Sequence, residues 1–448
     1  MSGAHILVYP YLSAGHIIPL LDLTHRLHTR GLTVTVVVTP NNLSLLNPLL
    51  STHASSSTLQ PLVLPSPQPS NFSSNRLIDS MHGLRLLHYP LLLQWFSSHP
   101  SPPVAIISDF FLGWTHQLAT ELGLPRVVFS PSAAFAFAVQ HQTWIDSPKN
   151  DGPSTVSFPN IPGSPRYPWH QISHIYRSLK EGDPDREFYK STLLANLVSW
   201  GVVFNSFSEL EGVYIDHVKK EAGHDRIWAV GPLLPPDDDL MRPANRGGSS
   251  SVPCHEVMTW LDARREHSVV YVCFGSRAEL TREQTDGLAA GLEKSGVHFI
   301  WCVRGVMPAG YEERVAGRGF VINGWAPQVE ILRHRAVGVF LTHCGWNSTL
   351  EGIAAGVVML TWPTSADQFS NAQLLVEELG VGVRVGDGTE VIPESGELAR
   401  ILAESLDENR AERVRANKLR DAALTAVKGG SSDKDLDDFV LRLNALSK

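Results

Sequence analysis

His343, Asn347 and Ser348 stand close together around Gly345 in the run Thr-His-Cys-Gly-Trp-Asn-Ser at residues 342–348. An imidazole, an amide and a hydroxyl are all hydrogen-bond donors, and glycine lets a ligand approach the backbone. Such a set suits an anion, a phosphate above all. A second pair, His16 and Asp109, suits proton transfer. A carboxylate can hold one ring nitrogen of a histidine and leave the other as a base. The chain has 19 histidines, so a structural or solvated role for His16 stands beside the catalytic one. Asp109 is equally open to plain helix capping.

The elements around these residues give the two readings their places. Residues 337–343 form an apolar run that breaks at Cys344-Gly345 and resumes as a helix from about Asn347. A helix opening straight after a strand points unpaired N–H groups and a positive dipole end at whatever lies there. Ser348 and Glu351 also fit the S-x-x-E capping box, in which the glutamate folds back on the helix start. Two indoles, Trp325 and Trp346, argue for a ligand instead, because aromatic faces stack on bases and sugar rings. Glu351 would then accept hydrogen bonds from ribose hydroxyls.

Toward the amino terminus, residues 5–11 read as a central parallel strand. A small-residue turn through His16 follows, then a helix with Pro19 near its start and Leu20, Leu23 and Leu27 on one face. Gly31 stops it, and residues 33–38 make the next strand. Apolar strands at 104–108 and 126–129 continue the theme. The expected fold class is α/β with a doubly wound sheet, whose ligands gather at the carboxyl ends of its strands. His16 and Asp109 both fall at such ends.

The alternation restarts from Ser268, with a strand, a helix at 281–295 and a second strand from Val297. Helices at 371–379 and across 394–427, a strand at 381–385 and a last helix at 436–446 follow. The domains expected are 1–234, a linker at 235–253 rich in Pro, Gly, Ser and Asp, 254–428, and a terminal segment at 429–448.

Composition excludes several classes of function. A formal charge of −8 argues against a nucleic-acid groove, which needs clustered Lys and Arg. No apolar stretch approaches the roughly 18 to 20 residues of a membrane span. The amino terminus lacks a basic region and Pro10 interrupts its apolar run, so no signal peptide is expected. Cys254, Cys273, Cys302 and Cys344 lack C-x-x-C spacing and read as reduced thiols of a cytoplasmic protein. Trp114, His141 and Trp144 fit a hydrophobic pocket or an ordinary core equally.

Taken whole, residues 325–368 resemble the signature of the plant secondary product glycosyltransferases of UDP-glycosyltransferase family 1. W-A-P-Q, H-C-G-W-N-S, L-E and W-P…D-Q occur in that order without a gap. The resemblance implies that Trp325 stacks on uracil, that Ala326 and Gln328 hold uracil and ribose, and that Glu351 holds the ribose hydroxyls. It assigns the diphosphate to Ser276, His343, Asn347 and Ser348, and the sugar hydroxyls to Trp346, Asp367 and Gln368. Residues 9–22 resemble the family's amino-terminal G-H-x-x-P element, which makes His16 the general base and Asp109 its partner. Two departures are visible: Val358 stands where the family usually has proline, and so does Leu12.

The resemblance further implies two Rossmann-like domains facing across a cleft, a glycosyltransferase-B fold, with the terminal segment packed back on the first domain. The implied partners are a UDP-sugar and a phenolic small molecule, without cofactor or metal, in a monomer. D-x-D strings, which bind metal in another glycosyltransferase class, occur at 183–185, 237–239 and 433–435, away from the signature. Trp346 and Gln368 fit the family's UDP-glucose pattern. Residues 108–114 and 401–405 resemble a branch holding flavonol glucosyltransferases and flavonol 7-O-rhamnosyltransferases, so glucose is the expected sugar and rhamnose the alternative. A nucleotide-sugar epimerase or hydrolase and a binding-only protein are the remaining rivals.

Overall fold

The computed structural model describes residues 3–447 apart from 55, 69–71, 151, 153–154, 236–249 and 277. Most of the expected linker, and the D-x-D string at 237–239, lie outside the described residues. Contacts divide the chain into two compact units, Met1–Met241 with Ala426–Lys448, and Arg242–Thr425.

The first unit is built on a seven-stranded sheet in the order β3-β2-β1-β4-β5-β8-β9. Its strands are β1 (His5–Tyr9), β2 (Thr33–Val38), β3 (Leu59–Val63), β4 (Ala105–Asp109), β5 (Arg126–Ser130), β8 (Gly201–Phe204) and β9 (Ile227–Ala229). Every neighbouring pair is parallel. Strands covered on both faces need unbroken apolar runs instead of alternation, and all five residues of β4 and of β5 are buried. A short antiparallel pair, β6 (Thr155–Ser157) and β7 (Arg166–Pro168), stands apart from this sheet. The helix Ala14–Thr29 lays Leu20, Leu23 and Leu27, all fully buried, into the core against β1 and β2.

The terminal helix Ser431–Ala445 belongs to this unit and buries Leu436, Phe439 and Leu443 in the same core. It starts five residues before the expected position, because polar contacts hold its first turn. Ser432 Oγ donates to the Gly231 carbonyl at 2.6 Å, and Asp433 accepts from Gly429 N at 3.0 Å. An acidic residue in a first turn is also favoured by the helix dipole.

The second unit carries a six-stranded parallel sheet in the order β12-β11-β10-β13-β14-β15. These strands are β10 (Val269–Cys273), β11 (His298–Val303), β12 (Gly319–Asn323), β13 (Val337–Thr342), β14 (Val358–Thr361) and β15 (Gly382–Arg384). The expected helix at 281–295 begins at Arg282, with Thr281 as its cap in a reciprocal capping box with Gln284. The helix expected at 371–379 begins earlier, as Gln368–Gln373, and runs on as a π turn over Leu374–Glu378.

Each sheet is laid down outward in one direction and then outward in the other. The reversal falls between β1 and β4 in the first unit and between β10 and β13 in the second. In doubly wound sheets such reversals leave a crevice at the carboxyl ends of the strands, where ligands bind. Among the described residues, no helix is long and apolar enough to cross a membrane.

Candidate active site

In the first unit, His16 follows β1 and Asp109 closes β4, so both stand at the reversal. His16 Nδ1 lies 2.8 Å from Asp109 Oδ2. The other carboxylate oxygen accepts from Phe111 N at 2.9 Å, which caps the short turn Phe110–Leu112. Capping and histidine orientation, alternatives in the sequence, are both met by one buried carboxylate. Because a carboxylate only accepts, the bond places the imidazole proton on Nδ1 and leaves Nε2 as the basic atom. The side chain of His16 is 16% exposed and that of Asp109 is 0% exposed. Phe111 stacks on the imidazole at 4.9 Å, and Tyr11 meets it edge-on at 5.4 Å. Trp114, His141 and Trp144 are buried, and burial pushes the His141 pKa down to about 4. They are core residues.

In the second unit, the residues expected at the donor site follow the ends of four strands. Ser276 lies in the turn after β10, Trp325 to Gln328 follow β12, His343 to Glu351 follow β13, and Asp367 and Gln368 follow β14. Ser276 and His343 thus flank the reversal. The helix after β13 is Trp346–Ala355, with Gly345 as its N-cap and no side chain capping it. Ser348 is the third helical residue, so the capping box does not form. Glu351 turns instead toward Gln328, whose Nε2 donates to Glu351 Oε2 at 2.6 Å and to Ser348 Oγ at 2.9 Å. Tyr271 OH fixes the other end of that amide by donating to Gln328 Oε1 at 3.1 Å. Three of the expected residues are therefore one connected group.

His343 is wedged between two glycines. A Cβ on Gly275 or Gly345 would come within 2.5 Å or 2.6 Å of its Nε2. Only glycine fits at either position. His343 is half-buried, and burial pushes the ring's pKa down to about 4, so it is neutral at pH 7. Its Nδ1 is buried and has no hydrogen-bond partner among the described residues. Cys344 then takes a left-handed backbone, φ 64°, to turn the chain from strand to helix. Asn371 Nδ2 braces that turn by donating to the Cys344 carbonyl at 2.9 Å and to Asp367 Oδ2 at 3.1 Å.

Trp325 is half-buried, and its backbone is held by Ser251 through bonds of 2.8 Å in each direction. Trp346 is buried, at 3% exposed. Gln368 Oε1 closes its own turn by accepting from Thr364 N at 2.9 Å and Ser365 N at 3.0 Å.

Asn371, Tyr271, Ser251 and Arg126 escape the sequence reading. Asn371 carried a local signal, standing one helical turn beyond Asp367. Arg126 offered a different one, a charge at the head of an apolar strand.

Two doubly wound units, one ending in a histidine–aspartate pair and the other in an anion-suited helix start, define a group-transfer enzyme of nucleotide-binding type. Comparison with known proteins narrows this class. The sequence profile of the family described as UDP-glucoronosyl and UDP-glucosyl transferase matches residues 249–392. The flavonol 3-O-glucosyltransferase UGT89B1 of Arabidopsis thaliana is 51% identical over 99% of this chain and 96% of its own length. A flavonol 7-O-rhamnosyltransferase from the same plant is 41% identical over 98% of each chain. The crystal structure of Arabidopsis thaliana UGT89C1 with UDP-L-rhamnose has a TM-score of 0.83 at 40% identity, covering 99% of this chain and 100% of that one. This chain belongs to the plant family 1 UDP-glycosyltransferases.

Proposed function

We propose that the protein transfers glucose from UDP-glucose to a hydroxyl of a flavonoid or related phenolic, with inversion and without a metal. The observation that carries the reading is the 2.8 Å bond between His16 Nδ1 and Asp109 Oδ2, which leaves Nε2 to take the acceptor's proton. A phenol near pKa 10 and an imidazole near 6.5 differ by about 3.5 units, so complete proton transfer is uphill by roughly 5 kcal/mol. Asp109 lowers that deficit by stabilising the imidazolium. Transfer concerted with attack on the anomeric carbon avoids meeting it all at once.

On the donor side, Trp325, Ala326 and Gln328 hold the uracil and ribose, with Glu351 on the ribose hydroxyls. The departing diphosphate is stabilised by the amino-terminal end of Trp346–Ala355 with Ser276, His343, Gly345, Asn347 and Ser348. Trp346, Asp367 and Gln368 address the sugar. The closer identity to a named glucosyltransferase than to a named rhamnosyltransferase supports glucose. Flavonol in both names, and quercetin in a crystal structure of UGT89C1, support the acceptor class.

A donor and acceptor panel read by mass spectrometry tests this. Glucoside formed from UDP-glucose, undiminished by EDTA, is the expected outcome. Rhamnoside alone moves the donor to UDP-rhamnose, and free sugar alone makes the protein a hydrolase. His16→Ala is expected to lose about 10² to 10⁴ in rate while still binding UDP. Loss of UDP binding in that variant overturns the base assignment.

A further inference from the structure

We propose that Arg126 is a positioning residue for the His16–Asp109 pair, its buried positive charge opposing protonation of that pair, an inference that rests on His16 being the base. Arg126 opens β5, is 1% exposed and reaches across to the end of β4. Its Nε donates to Ser108 Oγ at 2.9 Å, and Nη2 to the Asp109 carbonyl at 3.4 Å. Nη1 donates to Ser199 Oγ at 2.9 Å, Asn196 Oδ1 at 3.1 Å and Ala195 O at 3.5 Å. Every one of these acceptors is neutral. A guanidinium buried among neutral acceptors is costly unless an opposite charge lies near.

The charged and titratable groups about it come from three elements. Asp109 ends β4, and its attraction supports the Arg126 charge against burial. His16 stands on the helix Ala14–Thr29, bound to Asp109. His116 stands on the helix Thr115–Leu122, its pKa lowered by burial and then by Arg126. The side facing the helix Pro184–Leu197 supplies the neutral Ala195 and Asn196, with Ser199 just beyond, whose carbonyl lies 3.3 Å from a ring nitrogen of His224. With His16 neutral, Asp109 ionised and Arg126 charged, the buried group has no net charge. Adding a proton to His16 makes it positive. Removing the guanidinium charge leaves a buried anion, which binds a proton more readily whether the proton settles on His16 or Asp109.

The acid limb of kcat/KM against pH reads this directly. In Arg126→Gln the limb moves to higher pH by about two units, the size expected of a charge roughly 6 Å away at an effective dielectric near 20. Arg126→Lys keeps the charge and holds the limb at its wild-type position, whatever its effect on rate. Asn196→Asp neutralises Arg126 in place and moves the limb upward as well, so it serves where the glutamine variant does not fold. A folded Arg126→Gln or Asn196→Asp enzyme with a lower rate and an unmoved limb overturns the proposal and leaves Arg126 a packing residue. Should His16→Ala keep full activity, it is the reading of His16 as base that fails.

Discussion

Asn371 shows how much a single amide can do at the turn after β13. Its two N–H groups tie the turn after β13 to the Asp367 carboxylate after β14, and it is fully buried. Cys344 needs such a brace, because a non-glycine residue in the left-handed region costs of order 1 kcal/mol or more. Asn371→Ala is expected to raise the UDP-sugar KM and weaken UDP binding about tenfold, the scale of a lost buried hydrogen bond. Asn371→Asp should be worse, since a carboxylate would face a carbonyl and Asp367, both acceptors. Calorimetric titration with UDP checks both variants, and unaltered affinity in both removes Asn371 from the site. His343 adds a pH dependence. Its pKa in the folded protein, about 4, lies below the ordinary histidine value near 6.5. Between those values the unfolded chain binds the extra proton, so stability falls as pH drops from 6.5 toward 4 and levels off below. His141 contributes the same sign in the same window. His141→Gln and His343→Gln should each flatten the fall in unfolding midpoint across that range.

The same spacing meant two things at two helix starts. Thr281 and Gln284 form the reciprocal cap their pattern promises, whereas Ser348 and Glu351, with equal spacing, do not. The difference lies upstream, where β13 ends in a tight turn and Gly345 becomes the cap, shifting Ser348 three residues into the helix. A sequence pattern fixes spacing but not the residue at which the backbone leaves the strand. The strands themselves were legible, since an unbroken apolar run such as residues 104–107 has few other destinations. The helix Ala134–Asp146 hides its own device. It has no local side-chain cap, and its first two N–H groups donate to Glu211, fully buried, at 3.0 and 2.9 Å. Ser206 Oγ adds a third bond at 2.5 Å. Burial pushes the Glu211 pKa up while these three bonds pull against it. Glu211→Gln is expected to cost about 1–3 kcal/mol, because an amide nitrogen turned toward N–H donors leaves one unsatisfied. Urea unfolding measures this, and an unchanged midpoint would mean that the helix start draws on the dipole alone.

At the scale of the whole chain, the doubly wound plan was readable because strand ends recur at regular intervals and chemistry collects there. His16 and Asp109 could be placed at such ends from the sequence, and so could the turn from His343 to Glu351, whereas Trp325 and Gln368 rested on the family resemblance. Arg126 and Asn371 could not, because each partnership joins elements that meet only once the sheet has formed. The terminal helix poses the remaining question of what attaches it to the first unit. Ion pairs are abundant there: Arg26 and Arg30 both reach Asp433, and Arg30 also reaches Asp437 at 2.7 Å. Asp437 is 68% exposed, however, and an exposed pair is worth about 0–1 kcal/mol. Phe439 is fully buried against the Trp228 ring, 4.7 Å between centroids, and truncating such a side chain costs about 3–5 kcal/mol. Burial of Phe439 therefore outweighs the exposed Asp437 pair in fixing this helix. Phe439→Ala should unfold the first unit at markedly lower denaturant, and Asp437→Ala should scarcely move the midpoint. On the proposed reading, UDP affinity stays near wild type in Asp437→Ala. Equal destabilisation by the two substitutions would show that the charges carry the attachment after all.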